Sequence, residues 1–429
     1  MRIAWFTPFE KESAIGKYSK HACEALSKVA DVEIFAYETG PEVEMHETSV
    51  IVNRYKATYE LTYLDCYDVC VYNMGDNGNY HSVIYDVMLS NPGVVIAHDV
   101  CLHNFVKGYW YIHRNNPSEY DKLLEKYYPE KKDEIIAAQN SAVTWGNFDL
   151  ATYSLAEEVL SNQKGVIVHS EYHKSKLDVD APILVVPLIY GCQSKSKENK
   201  SNSTEGNDII RMITVGHVNP NKHSDDVIEV LGKNPDIAKQ VKYTIVGSIE
   251  NKRYVALLRQ RIAHYGLKDS VSILGSVSDE ILKEEYDKAD IVTNLRYPAL
   301  EGGSASLCEQ LMSGKVTIVC DTGVYSEVPD ECVIKVNPMS IDISLANVYH
   351  DILSGKIELG SIRAKAREYA LEHYTDSNYR QKVVSFLEQV CFEGPMRELL
   401  TALDEDVTCL SNSDLNQRLC NQIELLFGK

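Results

Sequence analysis

The chain has 429 residues, of which 44% are hydrophobic and 24% charged, which is typical of a globular protein with two domains of roughly 200 residues each. Its formal net charge of −19 argues against nucleic acid as a partner, because nucleic-acid phosphates require a basic surface. The same charge disfavours broad attachment to anionic lipid, so we expect at most peripheral membrane contact.

The N-terminus reads MRIAWFTPFEKE, which indicates a first strand and not a signal peptide. The longest strongly apolar run, APILVVPLIY, has ten residues and is too short to span a bilayer. The eleven cysteines are scattered without a CxxC pair, which is typical of reduced, buried thiols. We therefore expect a cytoplasmic protein, free or at the inner face of the membrane.

The first half of the chain alternates strand-like and helical segments. Near-continuous apolar strands with helices between them predict a parallel sheet covered on both faces. The first helix is predicted over Lys17–Ala30, and Gly16 stands at the junction between the first strand and this helix. The GxGxxG fingerprint of dinucleotide sites is absent there. The predicted strands are RIAWFTPF, VEIFAY, YDVCVYN, GVVIAHD, GVIVHS and ILVVPL.

Two histidines follow the strand GVVIA. His98 and Asp99 end that strand and His103 comes four residues later. Side chains at the carboxyl end of a parallel strand point into the crevice where ligands bind. A structural hydrogen bond between His98 and Asp99 is the alternative interpretation. From Tyr109 to Leu160 the strand pattern lapses into aromatic-rich helices, which predicts a lid or an acceptor platform beside this strand end.

A polar stretch, residues 191–208, is the clearest linker in the chain. A second parallel sheet is predicted after it. In its first loop, GHVNPNKHSDD, His217 and Lys222 stand between a strand and a helix. A surface lysine before a helix is the alternative interpretation for Lys222. The predicted strands of the second sheet are RMITVGHV, KYTIVGS, SVSILGS, ADIVTNL, VTIVCDT and CVIKV.

The stretch from Asn294 to Gly323 carries the most specific pattern. Between two apolar strands, a loop narrows to Glu301-Gly302-Gly303-Ser304 and opens a short amphipathic helix. Ser304 is the predicted N-cap and Gly314 the predicted stop of that helix. The first N–H groups of a helix lack internal partners, and the helix dipole favours negative charge, so this loop predicts an anion site.

Two carboxylates flank this loop, Glu301 before the glycines and Glu309 eight residues later on the helix. A carboxylate beside a phosphate is electrostatically unfavourable, but each can accept hydrogen bonds from the hydroxyls of a sugar. A phosphate site with two sugar-binding carboxylates predicts a nucleotide-sugar. The alternative interpretation of the same sequence pattern is a solvated glutamate beside an ordinary strand–helix turn.

This segment resembles the E-x7-E motif of retaining glycosyltransferases of family 4, bacterial polysaccharide and glycan enzymes with the GT-B fold. The resemblance implies that Glu301 lies by the donor sugar and that Glu309 holds the ribose. It also implies that Gly302, Gly303 and Ser304 bind the donor. The bacterial branch with the LRYP lead carries Gly-Glu-Thr-Ser where this chain has Glu-Gly-Gly-Ser, so Glu301 is placed less securely than Glu309.

The resemblance extends to two loops of the first half. HDVCLHNF is similar to the HD…LH signature of the family, which implies that His98 contacts the transferred sugar and that Asp99 and His103 lie on the acceptor side. The segment around Gly16 resembles an IGRY-type loop, where the backbone approaches the donor closely.

In related transferases the first loop of the second domain usually reads G-R…K-G, with both cations on the donor diphosphate. This chain keeps the lysine as Lys222 and has His217 in place of the arginine. Histidine is largely neutral at pH 7, so Lys222 and the backbone amides would hold the leaving phosphate. The resemblance thus predicts His98, Lys222 and Glu301 as the catalytic residues.

The predicted fold is α/β of the GT-B type, with two Rossmann-like domains facing across a cleft. The acceptor domain is expected over 1–190 and is completed by 374–429, and a long, mostly helical segment at 362–390 is expected to cross back to it. The nucleotide-sugar domain is expected over 209–373. The predicted reaction moves a sugar, with retention of configuration, from a nucleoside diphosphate to a hydroxyl of a glycan, a lipid-linked or another acceptor. It needs mainly positioning and phosphate stabilisation.

No cofactor or metal is expected, because the DxD letters at 178–180 lie away from the inferred donor site. Two other functions stay open. One is a non-catalytic GT-B-like subunit that supports a partner transferase, motivated by the altered arginine and the altered Gly-Glu-Thr-Ser motif. The other is a sugar-nucleotide epimerase of the same architecture.

Overall fold

The structure is a computed structural model that describes residues 1–38, 40, 42–140, 145–190 and 209–407, with side chains described as far as residue 391. The predicted linker at 191–208 and the tail beyond 407 lie outside the described residues. Two parallel sheets organise the rest, one before and one after this linker. The predicted domain boundaries remain predictions.

The first sheet has seven parallel strands in the order β3-β2-β1-β4-β5-β6-β7. Six of them coincide with the predicted apolar runs. The sequence analysis missed β3 at the edge of the sheet, where only Tyr55 is buried and the other four residues are exposed or half-exposed. The strands are β1 Arg2–Phe6, β2 Asp31–Tyr37, β3 Ile51–Tyr55, β4 Val69–Met74, β5 Val94–Ala97, β6 Gly165–Val168 and β7 Ile183–Val185.

The second sheet has six parallel strands in the order β10-β9-β8-β11-β12-β13, and all six were predicted. In both sheets the strand order reverses beside the first strand, between β1 and β4 and between β8 and β11. The strands are β8 Ile210–Val215, β9 Val241–Val246, β10 Val271–Gly275, β11 Ile291–Asn294, β12 Val316–Cys320 and β13 Ile334–Val336. Ligands of open parallel sheets bind outside the carboxyl ends of strands at such reversals.

Helices cover both sheets. Those of the first half are α1 Ala14–Leu26, α2 Gly78–Ser90, α3 His103–Gly108, α4 Pro117–Tyr127, α5 Lys132–Gln139, α6 Asn147–Thr152, α7 Ala156–Leu160 and α8 Glu171–Lys174. A π-helical turn, Tyr109–His113, extends α3. The predicted start of α1 was three residues late, because Ser13 accepts a hydrogen bond from the N–H of Gly16 and caps the helix before Ala14. The helical segment α3–α7 occupies the region predicted as a lid or platform.

The helices of the second half end in a long C-terminal pair. They are α9 Ser224–Lys233, α10 Pro235–Gln240, α11 Lys252–His264, α12 Asp279–Lys288, α13 Ala305–Met312, α14 Ile341–Leu353, α15 Leu359–His373 and α16 Asp376–Val407. The segment predicted as one helix over 362–390 is divided between α15 and α16. No described helix is long and apolar enough to cross a membrane.

Helix α16 crosses back to the first sheet, as predicted. The hydroxyl of Tyr379 hydrogen-bonds that of Tyr18 on α1, and Lys28 lies 3.2 Å from the carboxylate of Asp376. Apolar side chains of α16, including Val383 and Leu387, are fully buried in the core that covers one face of the first sheet. The expectation of buried thiols is wrong for Cys66, which is exposed.

Candidate functional site

The loops that follow β8 and β11 meet at the strand reversal of the second sheet. The loop after β8 begins at Gly216, whose φ of +97° suits glycine, and ends in a short 3₁₀ turn, Pro220–Lys222. The loop after β11 runs through Arg296 to the glycines before α13. The predicted site residues of this domain lie on these two loops and on α13.

The ammonium group of Lys222 is buried against the backbone. The residue is 7% exposed, and its Nζ donates to the carbonyl oxygen of Val215. A Cβ on Gly216 would come within 2.6 Å of that nitrogen, so a larger residue there would displace it. Burial and the neighbouring charge of Arg296 lower the pKa of Lys222, Glu301 acts in the opposite direction, and the net result is a pKa of about 7.

Arg296 is a site residue that the sequence analysis missed. Its side chain is 22% exposed, and its Nε lies 3.8 Å from Glu301 Oε1 and 3.4 Å from Asn294 Oδ1. Its charge acts on Lys222, although the two residues are 74 positions apart. Two cations therefore share the floor of the site with one carboxylate. The LRYP sequence, which contains Arg296, was the feature from which this residue could have been predicted.

Glu301 is held between a tyrosine and this arginine. The hydroxyl of Tyr325 donates to Glu301 Oε1 and also lies 3.2 Å from Ser304 Oγ. The Glu301 side chain is 19% exposed, so part of the carboxylate faces the cleft. Ser304 is the N-cap of α13, as predicted, because its Oγ accepts from the N–H of Leu307 at 3.3 Å.

The same loop pairs directly with the end of β5 in the first sheet. Val100 donates its N–H to the carbonyl of Leu300 at 2.8 Å, and Gly302 donates to the carbonyl of His98 at 2.9 Å. Ser170 Oγ donates to the carbonyl of Gly302 at 2.7 Å. These bonds place the loop of the second domain against the strand ends of the first.

Both glycines of the loop are required by close packing against the first domain. A Cβ on Gly302 would come within 2.0 Å of the His173 ring, and one on Gly303 within 2.8 Å of His169 Cβ. The Gly302 N–H is used in the pairing with His98. Among the described residues, no hydrogen bond is made by the N–H groups of Gly303, Ser304, Ala305 or Ser306. These four donors at the start of α13 are the ones that a bound anion could reach.

Glu309 lies on the exposed side of α13, apart from Glu301. Glu309 hydrogen-bonds the phenol of Tyr190, and burial together with this carboxylate raises the pKa of that tyrosine to about 12. Tyr286 lies near the same carboxylate. The carboxylate is thus available at the mouth of the site beside two aromatic rings, in an arrangement that suits a nucleoside.

His98 directly follows β5 and lies on the floor of the cleft, but its two ring nitrogens have protein partners. Nε2 lies 3.0 Å from Asn73 Oδ1, and Nδ1 lies 3.3 Å from His169 Nε2. The ring of Tyr18 packs edge-on against it at a centroid distance of 4.9 Å. Burial lowers the pKa of His98 well below its usual value. A hydrogen bond from His98 to a sugar would therefore need one protein contact to be given up.

Asp99 and His103 have different surroundings. Asp99 Oδ2 accepts from the N–H of Asp76 at 2.8 Å, and burial together with the charge of Glu301 raises its pKa to about 6. His103 is fully buried among helices, with Nδ1 at 2.5 Å from the carbonyl of Tyr153 and Nε2 at 2.7 Å from the hydroxyl of Tyr120. The structure therefore brings Asp99 near Glu301 and places His103 inside the helical segment instead.

Gly16 and His217 also have local partners. A Cβ on Gly16 would come within 2.8 Å of the Pro8 carbonyl oxygen, so packing within the first domain already requires glycine. His217 is exposed, hydrogen-bonds Ser248 Oγ, and has its Nδ1 3.4 Å from a carboxylate oxygen of Glu250. His217 therefore faces a carboxylate and not Lys222. Among the described residues, no group of three or more His, Cys, Asp or Glu side chains could hold a metal ion.

Comparison with known proteins supports the same architecture. Residues 195–353, less than half of the chain, match the family described as glycosyl transferases group 1. No curated protein sequence matches the chain. Sucrose-phosphate synthase from Thermosynechococcus elongatus is 14% identical with a TM-score of 0.62, over 91% of this chain and 99% of that one. The chain has the GT-B fold.

Two other solved structures are similar over the same extent. Anabaena HepE in complex with UDP-glucose is 15% identical with a TM-score of 0.59, over 91% of this chain and 100% of that one. A glycosyltransferase from Rickettsia africae is 14% identical with a TM-score of 0.58, over 91% of this chain and 98% of that one. At these identities the likeness concerns the fold, and the GT-B arrangement places the cleft between the two sheets.

Proposed function

We propose that this protein is a glycosyltransferase that moves a sugar from a nucleoside diphosphate to an acceptor hydroxyl with retention of configuration. The family match over residues 195–353 and the GT-B fold support the reaction class. The retaining course, the absence of a metal requirement and the assignment to family 4 rest on the resemblance of the E-x7-E segment. The acceptor is a hydroxyl of a glycan, a lipid-linked sugar or another molecule.

The observation that carries the proposal is the pair of cations at the strand reversal. The charges of Lys222 and Arg296 repel each other, Glu301 lies beside Arg296 and attracts both, and burial of Lys222 makes its own charge costly. A negatively charged ligand would relieve this repulsion. A diphosphate suits the place, because the N–H groups at the start of α13 lie on the same loop.

The carboxylates complete a donor site. Glu301 beside the cations suits a hydroxyl of the transferred sugar, and the exposed Glu309 suits the vicinal hydroxyls of a ribose. The leaving phosphate oxygen would accept the proton of the incoming hydroxyl on the same face of the sugar, which retains the configuration without a general base. The cations would then stabilise the departing diphosphate, which is where charge develops.

A thermal-shift screen with UDP-, GDP- and ADP-sugars tests donor binding, because a ligand of the folded state raises its melting temperature. UDP-glucose is the first donor to test, since Anabaena HepE was solved with it. We expect one nucleotide series to stabilise the protein and the purified protein to hydrolyse that donor slowly. Absence of stabilisation by any nucleoside diphosphate would contradict the proposal.

A non-catalytic subunit is the second candidate, and the geometry of His217 favours it. His217 replaces an arginine expected on the diphosphate, and it faces Glu250. If Arg296 does not supply the missing charge, the site could bind a donor without turning it over. Stabilisation by a donor with no hydrolysis and no transfer would support this second function.

A further inference from the structure

A chain of hydrogen-bonding groups crosses the floor of the cleft through His98. Asn73 Nδ2 donates to the carbonyl oxygen of Phe6 at 2.9 Å. Asn73 Oδ1 lies 3.0 Å from His98 Nε2, and His98 Nδ1 lies 3.3 Å from His169 Nε2. At the far end, His169 Nδ1 lies 3.0 Å from the carbonyl oxygen of Val186. This series of hydrogen bonds therefore ends at both sides on a backbone oxygen, which can only accept a hydrogen bond.

These two ends fix the tautomers of both imidazoles. The Phe6 oxygen requires the amide nitrogen of Asn73, so the amide oxygen faces His98 and the His98 proton must be on Nε2. The Val186 oxygen requires the His169 proton on Nδ1. A neutral imidazole carries one N–H, so the facing nitrogens of His98 and His169 both present lone pairs. One added proton between these two nitrogens would complete every hydrogen bond of the series from Phe6 to Val186.

Within the part of the chain that the structure describes, no other donor reaches the facing nitrogens of this pair. His169 is 5% exposed, and the ring of Tyr18 packs edge-on against both imidazoles, at 4.9 and 5.3 Å between centroids. The Tyr18 hydroxyl is hydrogen-bonded to that of Tyr379 instead. The other titratable groups around the pair are His81, His173, Asp99 and, across the bridge to the second domain, Glu301. Among the described residues, none of these groups hydrogen-bonds the two facing nitrogens.

The pair lies directly beneath the proposed anion site. His169 Cβ packs against Gly303 so closely that a Cβ there would come within 2.8 Å of it. Burial lowers the pKa of His169 to about 4, although the hydrogen bond to the Val186 carbonyl acts in the opposite direction. A completed N–H···N bond and an anion above Gly303 both act in the opposite direction, because each favours the charged form.

We propose that His98 and His169 bind one proton between their facing ring nitrogens, and that a nucleoside diphosphate bound over Gly303 promotes this protonation. His169 is then a positioning residue, which locks the His98 ring through the shared proton. The protonated pair sets a positive charge behind the glycine loop, where it favours the bound diphosphate. The coupling to the nucleotide rests on the proposed function, whereas the proton site does not.

Nitrogen NMR of the full chain labelled with ¹⁵N-histidine tests the proton site without any assay of activity. At high pH, His98 should be protonated at Nε2 and His169 at Nδ1. As the pH falls, the two facing nitrogens should shift together in one step. The titration should move to higher pH when the bare nucleoside diphosphate identified by the donor screen is added. Rings that keep other tautomers, or that titrate separately, would overturn the proposal.

Three variants separate positioning from packing. In His169→Gln the amide can donate to His98 Nδ1 without an added proton, so turnover should be largely retained while its dependence on the pair's titration is lost. His169→Phe should lower kcat by roughly ten- to a hundredfold with little change in KM, as expected for a misplaced side chain. His173→Gln, at the neighbouring buried histidine, is the matched control and should leave the joint titration of His98 and His169 in place.

The outcomes distinguish the two proposals. If no nucleoside diphosphate binds but the joint titration is observed, the proposed function fails and the proton site stands. If the nucleotide binds without moving the titration, the coupling is wrong. Equal losses of kcat in His169→Gln and His169→Phe, with unchanged pH profiles, would show that His169 acts only by packing.

Discussion

The strongest test of the donor site concerns the cost of charging Lys222 in the free protein. Burial and the charge of Arg296 lower its pKa from 10.5 to about 7. The unfolded chain keeps the ordinary value and therefore binds more protons than the folded chain between these two pH values. Stability conferred through this group must then rise with pH from about 7 to 10.5. The penalty of the charged form is fully present below pH 7.

The magnitude follows from the linkage of protons to folding. One pKa unit corresponds to about 1.4 kcal/mol, so the full shift amounts to a penalty on the order of 4–5 kcal/mol. As the pH rises from 7 to 9, deprotonation of Lys222 alone should increase the free energy of unfolding by about 2.5 kcal/mol. Lys222→Met shortens the side chain by one atom and removes the charge, so the variant should lack this rise.

The assay is urea unfolding without nucleotide at pH 7, 8 and 9, for the natural protein and for Lys222→Met. The variant should be the more stable protein at pH 7, and its advantage should shrink by about 2.5 kcal/mol at pH 9. Groups other than Lys222 titrate in both proteins and cancel in the difference. A difference that does not change with pH would refute the reasoning.

Three further experiments test individual site residues. Arg296→Gln should weaken nucleoside diphosphate binding by roughly ten- to a hundredfold, the scale of one or two charge-assisted hydrogen bonds, and should raise the pKa of Lys222. His98→Ala should lose transfer but retain affinity for the bare nucleoside diphosphate at a pH above the titration of the histidine pair; calorimetry that finds both lost at that pH would indicate a structural role. Glu309→Ala should weaken the bare nucleotide, whereas Glu301→Ala should lower turnover of the donor alone, and calorimetry on both variants would contradict this if the losses are equal.

Proton uptake gives an independent measurement of the same charge. A diphosphate next to Lys222 favours its protonated form, so nucleotide binding between pH 7 and 9 should take up a proton. Calorimetry in two buffers of different ionisation enthalpy measures this uptake. Lys222→Met should reduce it, and proton uptake by the histidine pair is separated from it by the nitrogen spectra. Unchanged uptake in Lys222→Met would remove Lys222 from the anion site.

The sequence predicted the sheets well because a buried parallel strand leaves a direct signature. Strands such as Val316–Cys320 are buried at every position and appear as unbroken apolar runs. Ile51–Tyr55 was missed for the opposite reason, since an edge strand that is exposed or half-exposed at four of its five positions can carry Asn53 and Arg54. The division between α15 and α16 was missed because an apolar helical pattern continues through Tyr374.

The site was predicted as a set of positions and not as a set of contacts. Strand ends and glycines place His98, Lys222 and Glu301 on facing loops, because topology fixes where such residues lie. The direction of each side chain depends on partners distant in sequence. His98 is held by Asn73 and His169, and neither partner is marked by any motif around His98.

The substitution of His217 for an arginine takes on a different meaning once Arg296 is considered. A family pattern locates charge by its place in one loop, but a diphosphate responds to charge at a position in space. The loops after β8 and β11 meet at the strand reversal, so a cation on either can serve the same anion. Arg296 is there, next to Lys222 and Glu301, whereas His217 points to Glu250. The geometry therefore supports a donor site whose second cation comes from the loop after β11, and the loss of nucleotide affinity in Arg296→Gln is the result that distinguishes it from a site with one cation.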